Sequence, residues 1–128
     1  MEILQVLDPA QGIVQFRCES GTASGRWMGK RPAKPGHFDI EIEVPEEVTE
    51  WTFASSGTTS LSEATGAGTA TIIVGSVIRF DDGDDSTVEI GVGKDILLIE
   101  ITNRRSELPV EGQISFCAPE IQLYPYDL

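Results

Sequence analysis

Residues 71–102, TIIVGSVIRFDDGDDSTVEIGVGKDILLIEIT, constrain the fold more than any other part of the chain. Apolar residues fall on alternating positions through Ile72, Val74, Ile78 and Phe80, then Val88, Ile90 and Val92, then Leu97, Ile99 and Ile101. That is the period of a strand, whose successive side chains point to opposite faces, and not the period of a helix. The runs are separated by Asp81-Asp82-Gly83-Asp84-Asp85 and by Gly93-Lys94-Asp95. Glycine there takes positive φ without steric cost, and aspartate bonds its own backbone, so both breaks read as reversals between three successive antiparallel strands.

The rest of the chain repeats the pattern. Strands are predicted at 2–7, ended by Asp8-Pro9, and at 12–18. A polar hairpin-like link at 19–25 leads to a loop at 26–36 holding Pro32 and Pro35. The cleanest alternation is at 37–44, where Phe38, Ile40, Ile42 and Val44 face one way and Asp39, Glu41 and Glu43 the other. Residues 48–53 read as a short strand or a turn of helix, and 54–70, small and polar, as a flexible loop. A charged turn at 103–110, a strand at 112–117 and a last strand at 121–124, stopped by Pro125, complete the chain. Short strands at regular spacing with almost no helical period predict a single all-β domain over residues 1–128. The expected form is a small antiparallel barrel, an OB-like Greek key by preference, or a two-sheet β-sandwich.

Charge is the strongest compositional signal, at -12 net. Up to Gly36 five basic residues face three acidic ones, about +2, whereas the remainder holds eighteen acids and four bases, about -14. Such a field repels nucleic-acid phosphates and attracts cations. No nucleic-acid partner is expected across the whole surface, and a basic protein is favoured, although acidity also serves solubility. No apolar run is long enough to span a membrane, and the first residues lack the basic and apolar regions of a signal peptide. The expected compartment is the cytoplasm, with Cys18 and Cys117 kept as buried thiols.

Motifs for chemistry are sparse. His37 is the only histidine, so a zinc site would lack its second imidazole, and no Gly-x-Ser-x-Gly elbow exists. Cys18 or Cys117 with His37 is the remaining nucleophile pairing, and nothing in the sequence brings them together. The glycines at 57, 66, 68, 91 and 93 lack the lysine and hydroxyl spacing of a phosphate loop. The aspartates at 81–85 lack EF-hand spacing and read as a solvated turn. No cofactor and no metal are expected, and the chain is read as a non-enzyme.

Two surfaces are candidates for binding. Same-face carboxylates along a strand lie roughly 6.5 to 7 Å apart, so Asp39, Glu41 and Glu43 form an acidic ridge, either a docking surface or a wet face relieved by a neighbouring basic side chain. The loop around Arg26, Trp27 and Arg31 combines aromatic and guanidinium groups typical of interface anchors, unless Trp27 folds back onto the core. The leading expectation is an acidic interaction domain for a basic protein, a toxin-neutralising immunity protein being its concrete form. A small-molecule or carbohydrate site at Trp27, Trp51 and Tyr124 is the alternative, and an enzyme of undefined chemistry the second.

Overall fold

Among the described residues the alternating runs form strands that merge into one mixed, twelve-stranded sheet. The computed structural model describes residues 1–55, 57–63, 70–80 and 86–126. The strands are β1 (Glu2–Asp8), β2 (Ile13–Cys18), β3 (Gly21–Trp27), β4 (Gly36–His37), β5 (Ile40–Glu43), β6 (Trp51–Ala54), β7 (Ser60–Glu63), β8 (Thr71–Phe80), β9 (Thr87–Val92), β10 (Asp95–Glu100), β11 (Gln113–Ala118) and β12 (Gln122–Pro125). The charged turn contains one 3-10 turn, Arg105–Glu107.

Two fans of strands share β7. One runs β6, β11, β8, β9, β10, and the other β4, β1, β2, β3, β12, β5. β7 pairs antiparallel with β8 and parallel with β3, and β12 is also parallel to β3. The inner sides of both fans form one core in which Phe16, Ile73, Ile90, Ile99, Ile114 and Leu123 are fully buried. Each such side chain contributes roughly 1.5–3 kcal/mol relative to exposure. The all-β, barrel- or sandwich-like class is as expected; the sheet is open and mixed, with parallel pairings of β3 to β7 and β12, where the expected barrel is antiparallel. At the open seam β10 lies against β5. One parallel bridge, Val48 to Ile101, joins the chain there, and Val48 N–H donates to the Glu100 carbonyl at 2.8 Å.

Several local expectations are corrected. Residues 21–27 are a strand, so Arg26 and Trp27 end β3 and do not lie in a loop. Within 54–70, Ser60–Glu63 is strand β7 with Leu61 buried. The turn at 81–85 lies outside the described residues. Both cysteines are free, yet Cys117 is exposed and Cys18 half-buried. In β8 the predicted inner face is inverted, for Ile73, Gly75 and Val77 are buried, while Ile72 and Ile78 are 38% and 44% exposed. Ile72, Ile73 and Val74 are apolar at both parities, so alternation there allows either phase. Packing selects one: Gly75 must face inward, because Ile90 Cγ2 from β9 stands 2.3 Å from where its Cβ would be. A register shift between Val77 and Arg79 then leaves Ile78 on a bulge, facing out.

Candidate functional site

β5 buries Ile40 and Ile42 and exposes Glu41 and Glu43. Its ladder partner β12 places Tyr124 opposite Glu41 and Gln122 opposite Glu43, so neither cross-strand neighbour is basic. The nearest cation along the ladder is Arg26 on β3, opposite Gln122. It is already engaged, with Arg26 Nε donating to Glu120 Oε1 at 2.9 Å. Gln122 Nε2 donates to the other Glu120 oxygen at 3.2 Å, and the Tyr124 hydroxyl donates to Gln122 Oε1 at 2.9 Å. That chain of bonds runs from Tyr124 to Arg26 and engages Arg26 away from β5. Among the described residues, Asp39, Glu41 and Glu43 enter no ion pair, and neither do the loop cations Lys30, Arg31 and Lys34. Glu41 and Glu43, spaced as on one strand face, repel by roughly 2.5 kcal/mol at an effective dielectric of about 20, before salt screening reduces it. A docked cation would relieve that repulsion.

At its start the ridge opens into a cleft of about 620 Å³, where Asp39 meets Glu19, Cys18, Lys94, Asp95 and Tyr126. Tyr126 N–H donates to the Asp39 carbonyl at 2.9 Å, tying the chain end to the ridge. The opposite wall is set by a tight corner: the β9–β10 reversal has Gly93 at φ 60, and its N–H donates to Thr59 Oγ1 at 2.8 Å. Burial raises the Asp95 carboxyl above its ordinary value, with Glu19 adding to the shift and the Met1 amine opposing it. Burial likewise pushes the Cys18 thiol up, against hydrogen bonds from the Ser20 and Gly21 backbone, and the Asp95 charge adds to the rise. Cys18 and His37 do line one shallow depression of about 340 Å³. A thiol shifted upward is the opposite of an activated nucleophile.

The aromatic candidates fall elsewhere. Trp27 is 8% exposed, its Nε1 donates to the Arg31 carbonyl at 2.8 Å, and it packs edge-on against Phe38 at 5.3 Å between centroids. It caps the core and pins the basic loop, leaving Arg31 exposed at the surface. Trp51, 3% exposed, donates from Nε1 to the Asn103 carbonyl at 2.9 Å, and the Arg104 guanidinium covers its ring at 4.4 Å. Both indoles are mostly buried, Trp27 lining a depression of about 390 Å³ and Trp51 a separate one of about 400 Å³, and Tyr124 is half-buried in the β12 bond chain. Of the predicted residues, then, Glu41 and Glu43 share the open face of β5 and Asp39 stands exposed just before it, in the break between β4 and β5, while Arg26, Trp27 and Arg31 belong to the β3 end and its loop. Sequence reasoning missed Glu19 and Asp95, which the β2–β3 turn and the Gly93 corner bring to the cleft that Asp39 lines.

Searches against models of known protein families, curated proteins and solved structures find no match. The class that fold and surface define is an open all-β domain bearing an acidic face.

Proposed function

We propose that this protein is a non-catalytic binding domain that takes up a basic protein on the face of β5. One observation carries the reading: Glu41 and Glu43 stand exposed beside Asp39, and among the described residues none of the three enters an ion pair. A net charge of -12 adds long-range steering toward a cationic partner. The concrete form is a toxin-neutralising immunity protein. A nuclease exposes a cationic cleft for its polyanionic substrate, and an acidic partner arriving quickly would fill it. The reading places the protein in the cytoplasm, where its two thiols stay reduced.

The test is retention of proteins from the native host at low and then high salt, alongside the triple variant Asp39→Lys, Glu41→Lys, Glu43→Lys. A basic protein held at low salt, released by salt and absent from the variant supports the reading. Equal retention by both forms, or none by either, refutes it.

A further inference from the structure

Exposed carboxylates speed encounter but hold weakly, because such pairs are screened by salt and pay for ordering long side chains. Lasting complexes need a desolvated apolar centre within a charged rim. The structure sets one beside the ridge. β10 runs along β5: Asp39 and Asp95 share the cleft at one end, and Val48 bridges Ile101 at the other. Ile40 and Ile42 of β5 and Leu97 and Ile99 of β10 enter the same core. The alternate side chains, Glu41 and Glu43 on one strand, Ile96 and Leu98 on the other, therefore face solvent together.

Ile96 and Leu98 are 55% and 60% exposed. A third apolar group joins them from β8. Gly91 pairs with Ile96, and with no side chain on Gly91 the bulged Ile78 lies across it, its Cδ1 3.0 Å from where a Cβ would stand. Leu98 stands opposite Glu89, which is held by Arg79 Nε at 2.7 Å, so a neutralised pair bounds the strip on its far side. Glu100 continues the exposed row of β10 beyond Leu98.

Resting on the function proposed above, we infer that the partner contributes an amphipathic cationic segment, its Lys or Arg side chains on Asp39, Glu41 and Glu43 and its aliphatic side chains on Ile78, Ile96 and Leu98. Charge complementarity selects this occupant. A second copy would bring a chain of net charge -12 against another of like charge, and an anionic lipid surface would repel the ridge.

The test compares two fluorescein-labelled peptides of equal charge, alternating Arg and Leu or alternating Arg and Ser, by anisotropy at low salt. The wild type should bind the Arg–Leu peptide about tenfold tighter than the Arg–Ser peptide. Ile96→Ser with Leu98→Ser should abolish that preference while the Arg–Ser affinity stays unchanged, and Leu98→Ser alone should reduce it. Glu41→Lys with Glu43→Lys should weaken both. Equal binding of the two peptides by wild type, still dependent on Glu41 and Glu43, would overturn this inference and leave the acidic face standing. Binding of neither would overturn both. Loss of self-association on Leu98→Ser, with no peptide preference, would assign the strip to a second copy and overturn the inference.

Discussion

Replacing Gly21 with alanine strikes the corner where β7 ties the two fans together. Gly21 has φ +146, and a Cβ there would stand 2.1 Å from the carbonyl oxygen of Leu61, its parallel partner on β7. The obstacle is backbone, so no side-chain rotation removes it; the strands must separate by about 1 Å to reach ordinary contact. Positive φ in a non-glycine residue costs of order 1–3 kcal/mol. The separation also weakens the bond from Leu61 N–H to the Ser20 carbonyl, now 3.0 Å, worth about 0.5–1.5 kcal/mol net. With overpacking strain, the total is about 3–5 kcal/mol, a large share of the roughly 5–15 kcal/mol that stabilises a domain. In Tm this is about 12–18 °C for a chain of this length. Gly57→Ala is the control, because Gly57 has φ +76 but nothing within 4 Å of a Cβ, so it should cost only about 1–2 kcal/mol. Urea unfolding followed by the fluorescence of buried Trp27 and Trp51 measures both. If the two variants lose equal stability, β3 and β7 do not approach as described.

The raised Asp95 pKa has a defined sign. A carboxyl whose folded pKa exceeds its unfolded value stabilises fully below the unfolded value, near 3.8, and loses that stability as pH rises through the folded pKa. Asp95→Asn should therefore raise Tm at pH 7, the gain fading toward pH 3; a lower Tm at pH 7 would contradict the assignment. Thiol titration with a chromogenic disulfide should show a fast Cys117 and a slow Cys18, and Cys117→Ser should leave only the slow class; two equal rates would refute the burial of Cys18.

Strand existence was legible because most runs alternate with a single phase. Val88, Ile90 and Val92, and Leu97, Ile99 and Ile101, were read on the face they occupy. β8 was not, since Ile72 to Val74 are apolar at both parities and only Ile90 above Gly75 decides between them. Ser60–Glu63 escaped notice because one buried side chain, Leu61, and pairing on both sides make it a strand, and pairing is invisible to local pattern. The ridge was legible from alternation at Asp39, Glu41 and Glu43. The apolar strip next to it was half visible, for Ile96 and Leu98 are the off-phase residues of a run whose in-phase ones fill the core. That β10 lies along β5 follows from the open seam, which no local signal in the sequence encodes.

The claim that β5 and β10 together receive a cationic partner is tested most directly by titrating the isotopically labelled protein with the Arg–Leu peptide and following backbone amide shifts. The account predicts shifts concentrated at residues 39–44 and 95–100, with smaller ones at Ile78 and Gly91, and reversal of the effect by salt. Shifts spread evenly over other exposed acids such as Glu63, Glu107 and Glu111, or centred on the loop at 28–35, would contradict it.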